Sequence, residues 1–425
     1  MNVLRYLKRN ICAKKHTFFY KTPAGFRDEI LPLLEAKVKK ISGEKPEDSP
    51  AIARCQRGVE VHGLNLKDAT LVALTLPLFQ DFFLKLGEYK FGFDDDLSKV
   101  DYKKIKALTF DVERYSLNLI DYDNISKRNF IEKLQKKFGG NEINCIHSSQ
   151  KATSFEDSSQ NCHFEVRKTK SRHSFYIRLS SGGLFQRGYK NHFNGIASVR
   201  EDVAANLLNQ TKSWLKTHSA DQFNRILVPF CGSGTFGFEL LDQLRGAFNQ
   251  NYEKWFVLGN KFNLQASIHH WLKHHEISPF EFDSKFVTMI DINQKTMASL
   301  KNNILSYSNK SGISTEVFDL LTADVFSLKT RNLDIENRAV FIILNPPWGL
   351  RLGTSNQSVL IFRKIMKWLD NLSSITRKTS GLLLCPNEQT WSESRMFLKE
   401  NNFLFETLHY TQGGIHIRAL IFTHP

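Results

Sequence analysis

From about residue 198 onward, short apolar runs alternate with longer amphipathic stretches, and each apolar run ends in a turn of special composition. Residues 225–228 read as a buried strand that enters Pro229-Phe230-Cys231-Gly232-Ser233-Gly234-Thr235, with a helix expected over 236–244. Residues 286–290 are a second apolar run, followed by Asp291 and a helix over 295–306. A third, 340–344, ends at Asn345-Pro346-Pro347-Trp348, and 381–385 is a fourth. Strands that are apolar on both faces and joined by helices are stable only in a parallel sheet covered on each side. The second half is therefore expected to be α/β and doubly wound, with ligands at the carboxyl ends of the strands.

The first half has a different rhythm. Residues 16–20 are strand-like, Thr22-Pro23-Ala24-Gly25-Phe26 is turn-like, and Ile30, Leu33, Leu34, Ala36, Val38 and Ile41 keep helical spacing. Strands are expected over 59–63 and 79–89, helices over 67–78, 94–108 and 127–138, and a polar loop over 148–160. Residues 162–168 and 174–179 alternate like a hairpin with 170–172 at its tip. The pattern is α+β.

At 425 residues the chain exceeds what one core usually serves, so two or three domains are expected. The longest apolar stretch, 71–86, is broken by Pro77, Gln80, Asp81 and Lys85, and falls short of the roughly 20 residues a membrane helix needs. A formal net charge of +15 favours a polyanionic partner, since Lys and Arg release counterions on meeting phosphates. The six cysteines are scattered, without CxxC or zinc spacing, which points to a reducing compartment and to no metal. His270 and His274 can share a helix face, but no HExxH pattern or carboxylate pair accompanies them. Seven basic residues and no acid precede Asp28. They read as a basic arm over 1–16 in a cytoplasmic protein, with a mitochondrial presequence as the alternative.

Four features carry chemistry. In the Gly232/Gly234 turn, glycines let the backbone approach a ligand and the next helix offers unpaired N–H groups. Asp291 is placed to accept both hydroxyls of a ribose, or to cap the next helix. Asp324 is placed to accept from an adenine amine, or to hold a turn. In Asn345-Pro346-Pro347-Trp348 the prolines fix φ and remove donors. The Asn345 amide oxygen and the Pro346 carbonyl then become acceptors in a rigid turn, suited to the two hydrogens of a planar NH2 group. Trp348 offers a face on which a base can stack.

Together these residues resemble the class I methyltransferase pattern of glycine turn, ribose acid, adenine acid and Asn-Pro-Pro-aromatic. That last signature is shared by enzymes that methylate exocyclic amines of bases and by some that methylate glutamine. Leu184-Phe185-Gln186-Arg187-Gly188-Tyr189-Lys190 and the following Arg200-Glu201 are similar to segments of bacterial 23S rRNA guanine-N2 methyltransferases. So are Pro229 to Thr235 with Glu239, and Asn345 to Gly349 with Arg351-Leu352-Gly353. Residues 19–41 and 58–88 resemble, more loosely, that family's ferredoxin-like segment and THUMP RNA-binding domain.

The resemblance implies a Rossmann-like methyltransferase domain over 198–425, a ferredoxin-like and THUMP region over 17–160, and a connecting hairpin and Arg-Gly-Tyr-Lys segment over 161–197. It implies S-adenosylmethionine held by Pro229, Cys231, Gly232, Ser233, Gly234, Thr235, Asp291, Asp324 and Asn345. Asn345, Pro346, Pro347 and Trp348 would present the N2 of a flipped guanine. Arg187, Tyr189, Lys190 and Arg351 would touch structured RNA, with large-subunit ribosomal RNA expected and transfer RNA the alternative. Three positions depart from the family: Val228 stands where it usually has Asp, Asn293 where an acid is common, and Trp348 where Tyr is commoner. Val228 also leaves open an RNA-binding ribosome assembly factor built on the same fold.

Overall fold

The computed structural model describes residues 14–43, 49–90, 114–120, 128–129, 132, 143–144, 161–169, 172–180, 183–190, 199–247, 265–274, 281–347, 355–412 and 414–424. The expected helices over 94–108 and 127–138 and the loop over 148–160 lie largely or wholly outside them, as do Trp348 and Arg351. The chain forms two compact units.

The first unit is built on β1 (His16–Lys21), α1 (Arg27–Ser42), β2 (Ala51–Cys55), β3 (Gly58–Leu64), α2 (Leu66–Thr75) and β4 (Asp81–Lys90). It continues through β5 (Arg114–Ile120), β6 (Ile143–Asn144), β7 (Asn161–Thr169) and β8 (Arg172–Arg178). These strands make one eight-stranded sheet in the order β2-β3-β1-β4-β8-β7-β5-β6. All neighbours are antiparallel except β5, which runs parallel to β6 and β7. Alternation along β1 is read directly: the Tyr20 hydroxyl donates to Ala69 O of α2 at 2.8 Å. The next residue back, Phe19, meets Phe83 and Tyr176 instead.

The second unit contains α3 (Glu201–Thr217), β9 (Arg225–Pro229), α4 (Thr235–Arg245), β10 (Val287–Asp291), α6 (Gln294–Ser311), β11 (Phe318–Thr322) and β12 (Ala339–Leu344), while α5 (Gln265–Lys273), which falls between α4 and β10 in the chain, belongs to the first unit. After these come α7 (Ser355–Ser373), β13 (Lys378–Cys385), α8 (Glu388–Glu400), β14 (Leu404–Gln412) and β15 (Ile415–His424). The sheet order is β11-β10-β9-β12-β13-β15-β14. All its strands are parallel except β15, which is antiparallel to both neighbours. This is the doubly wound α/β sheet that the alternating pattern predicts. Strands β9 and β12 are buried along their whole length, as strands covered on both faces must be. On one face, Leu227, Ile342, Leu344, Leu383 and Phe422 pack with Phe362, Leu369 and Leu398 of α7 and α8.

Three parts of the expected domain division are corrected. The hairpin within 161–197 is no connector, because β7 and β8 hydrogen-bond into the eight-stranded sheet. Residues 23–30 group with the second unit, where Thr411 N–H donates to Ala24 O at 3.3 Å and Phe26 lies 5.7 Å from Tyr410. Helix α5, inside the stretch assigned to the methyltransferase domain, groups with the first unit and touches α2. The rings of His270 and His274 on or just beyond it are 4.6 Å apart, yet no metal-suited cluster occurs among the described residues. No helix among them is long and apolar enough to cross a membrane.

Gly381 shows how tightly the second sheet is assembled. It pairs with Ile342 on one side and Phe422 on the other. A Cβ there would lie 2.5 Å from both the Ile342 carbonyl oxygen and the Phe422 ring. Gly381→Ala is expected to cost about 1–3 kcal/mol, as overpacking does, read as a lower urea midpoint at unchanged slope. An unchanged midpoint would contradict this packing.

Candidate active site

The strand order reverses direction between β9 and β12, which opens a crevice at their carboxyl ends. Ile290 pairs with Pro229 and Ile342 with Leu227. Asp291 ends β10, Phe230 directly follows β9 and Asn345 directly follows β12, so the three stand at the carboxyl ends of adjacent parallel strands. Thr322, the β11 partner of Asp291, precedes Ala323 and Asp324. The glycine turn, both acids and the Asn-Pro-Pro turn therefore converge on one edge of one sheet.

The turn after β9 has an irregular backbone. Gly232 and Gly234 adopt φ of 54° and 85°, and Phe230 adopts 58°. A positive φ at an aromatic residue costs on the order of 1 kcal/mol or more and persists only where its surroundings enforce it. Here Cys231 N–H donates to Ile290 O at 3.0 Å and Gly234 N–H to Cys231 O at 2.9 Å. A Cβ on Gly234 would meet Leu300 at 2.6 Å and Phe238 at 2.8 Å, whereas one on Gly232 would have nothing within 4 Å. Gly234 thus serves close packing, and Gly232 faces open space over the edge. No side chain caps α4, so its first-turn N–H groups also point to that edge.

Asp291 ties the turn to the second strand. Its Oδ2 accepts from Gly232 N–H at 3.2 Å and its Oδ1 from Asn293 N–H at 2.9 Å. The helix-cap alternative for Asp291 is settled: Asn293 caps α6, accepting from Lys295 N–H at 2.9 Å and Thr296 N–H at 3.1 Å. An ionised carboxylate accepts about four hydrogen bonds, so capacity for two hydroxyls remains. Asp324 does hold a turn, since its Oδ1 accepts from Phe326 N–H at 3.1 Å. Asn345 is half-buried, Pro346 buried and Pro347 exposed. Val228 is only 3% exposed within β9.

Several expected ligand contacts are not available. Cys231 is buried, with its thiol 3.9 Å from Met297 Sδ and both backbone groups engaged inside the turn. Burial first, and then the Asp291 charge, push that thiol well above its ordinary pKa, so it is neither thiolate nor nucleophile. The Pro229 and Thr235 side chains are likewise buried, the Thr235 hydroxyl lying 3.1 Å from that of Ser233, while the Thr235 N–H belongs to the uncapped first turn of α4.

The RNA contacts expected from Arg187, Tyr189 and Lys190 are corrected for the same reason. Arg187 and Tyr189 are 5% and 2% exposed, and both reach Glu239 Oε1, at 3.3 Å and 2.8 Å. Lys190 lies 3.3 Å from Glu201 and donates to Val199 O at 3.1 Å. A cation enclosed with its counter-ion is not presented to a phosphate.

Two residues that the sequence does not single out stand at the edge. One is Phe230, whose φ no motif announces. The other is Ile292, next to Asp291, which is 71% exposed. An isolated exposed isoleucine is ordinary, but one beside the candidate ribose acid offers an apolar face to a ligand. Its exposure depends on the strand ending at Asp291, which spacing alone does not reveal.

Burial raises the Glu239 carboxyl to about 7, with Arg187 opposing the shift, and raises Asp242 to about 6, against its bond from Tyr307. An acid whose folded pKa exceeds its unfolded one binds extra protons in the folded state between the two values. Stability should therefore fall as pH rises from about 4.5 to about 7. Denaturation across that window should show the slope, and Glu239→Gln should reduce it. A slope unchanged by the substitution would exclude Glu239 as its source.

Residues 187–400, about half of the chain, match the model of the UPF0020 family, described as RMKL-like, methyltransferase domain. A ribosomal RNA large subunit methyltransferase K/L of Acinetobacter baumannii is 28% identical over 200 residues, 45% of this chain and 26% of that protein. The chain thus matches about a quarter of the length of that curated relative. Among solved structures, a possible methylase from Clostridium difficile 630 superposes with a TM-score of 0.66 at 17% identity, covering 97% of this chain and 99% of that one. SMU.472, named as a methyltransferase and solved with SAH, gives 0.65 at 15% identity, over 96% and 98% of the two chains. The chain belongs to the UPF0020 family of RMKL-like methyltransferase domains.

Proposed function

We propose that this chain is an S-adenosylmethionine-dependent RNA methyltransferase that modifies the exocyclic N2 of a guanine, in large-subunit ribosomal RNA. The observation that carries the reading is that β10, β9 and β12 lie side by side, so that Asp291, the Gly232 turn and Asn345-Pro346 follow at one edge of one sheet, with Gly232 N–H bonded to Asp291. The site suits the donor: Gly232 leaves open space where a side chain would stand, and Asp291 keeps acceptor capacity beside it. The SAH held by SMU.472, on a similar fold, supports the same donor. The K/L name of the curated relative supports the ribosomal substrate.

When bound, S-adenosylmethionine supplies an electrophilic methyl group on a sulfonium. Asp291 would accept from its ribose hydroxyls, the exposed Ile292 beside it would offer an apolar face to its adenine, and Asp324 would accept from the adenine amine. The Asn345 amide oxygen and the Pro346 carbonyl hold the two hydrogens of the guanine amine, so that its nitrogen faces the methyl group. Catalysis of this kind is positioning, and the proton leaves after transfer. Trp348, which lies outside the described residues, would offer its ring face to the base.

In the first unit, the β-α-β-β-α-β order over β1 to β4, with β3 and β1 central, supports the ferredoxin-like reading. The net charge of +15 supports an RNA partner, which the ferredoxin-like and THUMP region over 17–160 would dock. The relative named above is bacterial, which favours a cytoplasmic setting over a presequence at 1–16. Val228 keeps an assembly-factor role as the second reading, although its place inside β9 sets it back from the open edge.

Calorimetry with S-adenosylmethionine should give micromolar binding, roughly −8 kcal/mol. Asp291→Ala should weaken it about a hundredfold, since bonds to a charged acceptor contribute about 1.5–3 kcal/mol each. Asn345→Ala should retain donor binding yet lower methyl transfer to unmodified ribosomal RNA by about a hundredfold or more. Mapping the methylated base then distinguishes ribosomal from transfer RNA. A protein that binds RNA but no donor would establish the assembly-factor reading instead.

A further inference from the structure

Residues 187–189 pack against the two helices that follow the donor-site turns. Helix α4 begins at the glycine turn, and α6 begins just after Asp291 and Asn293. The Tyr189 ring packs edge-on against Phe238 of α4 at 4.8 Å and against Tyr307 of α6 at 5.9 Å. Its hydroxyl donates to Glu239 of α4, and Arg187 reaches the same carboxylate oxygen. Lys310 of α6 donates to the carbonyl of Gly188, which lies between them with φ of 77°. Phe238 and Tyr307 stack at 4.6 Å, and the Tyr307 hydroxyl donates to Asp242 of α4 at 2.7 Å. At the far side of this contact, Leu300 of α6 stands where a Gly234 Cβ would be, and Asn303 donates to Ser233 O at 3.3 Å.

We infer that residues 187–189 form a clamp that sets the donor site, with Arg187 and Tyr189 as positioning residues. They touch neither donor nor base. They hold α4 against α6, and through Leu300 and Asn303 this supports the placement of the Gly232 turn relative to Asp291, alongside the 3.2 Å Gly232–Asp291 bond and the 3.0 Å bond from Cys231 N–H to Ile290 O. A packed interface transmits a small displacement at one end to the other, because it has no voids in which to absorb it. Loosening the clamp is therefore felt as weaker donor binding, with the chemistry of transfer unchanged. This inference rests on the donor-site reading above.

The test uses the full chain with Tyr189→Phe and Arg187→Lys, and Gly381→Ala as a control destabilised away from the open edge. Donor Kd by calorimetry, donor KM and kcat, and Tm of the free protein are measured for all of them and for the unaltered chain. The clamp predicts that the two variants raise Kd and KM about five- to thirtyfold, the effect of losing about 1–2 kcal/mol, with kcat within about twofold. Gly381→Ala should lower Tm without moving Kd. If the clamp variants lower Tm but keep the original Kd, these residues are structural only and the inference is overturned while the donor site stands. If the unaltered chain binds no donor, both readings fall together.

Discussion

The bond from Gly232 N–H to the Asp291 carboxylate joins the two halves of the candidate site. It bridges the turn after β9 and the end of β10, and it exists only because the turn leaves ordinary backbone geometry at Phe230, Gly232 and Gly234. Strands buried on both faces can place polar groups only at their ends. The carboxyl edge is where this sheet concentrates its acceptors, its unsatisfied helix N–H groups and its open space. The rest of the second unit can be read as support for that one edge: apolar helices on each face, and a hairpin that closes the sheet beyond β13.

Behind the edge lies an unusual quantity of buried charge. Arg187, Glu239, Glu201 and Asp202 are each no more than 6% exposed. Burying ions is costly unless they are paired, and apolar residues of similar volume would often be as stable. What charges and hydroxyls add is direction. Tyr189 and Arg187 converge on one oxygen of Glu239, which admits one placement of the 187–189 segment against α4. The same enclosure removes these residues from RNA recognition, so that a motif resembling RNA-contact chemistry becomes internal architecture.

The first unit shows how far local signals reach. Alternation along residues 16–21, and again along 161–169 and 172–178, is enough to read strands and a hairpin. It does not say which edge the hairpin joins, since every strand edge offers the same N–H and C=O groups. Only the pairing of β4 with β8 places it in the eight-stranded sheet. The short strand β2 and the strand β11 carry little local signal, because each is partly exposed and has no long apolar run. The β14–β15 hairpin is not among the expected elements, although β15 ends in a run of buried residues. The two glycines between Gln412 and Ile415 are a hairpin signal in the sequence, but which strand edge the hairpin completes is decided only by the pairing of β15 with β13.

By itself the sequence determined the class of the second unit, its glycine and Asn-Pro-Pro turns, and the acids that follow its strands. These are local matters: strand burial, permitted φ values and the residues flanking each apolar run. Tertiary structure decided everything that depends on who lies beside whom. It assigned the helix cap to Asn293 and left Asp291 facing the glycine turn. It turned Cys231 inward, exposed Ile292, and enclosed Arg187 and Tyr189 around Glu239. The physical reason is that a side chain's spacing sets which face of its own element it occupies. Whether that face meets solvent, a ligand or another helix is fixed by packing between residues far apart in the chain.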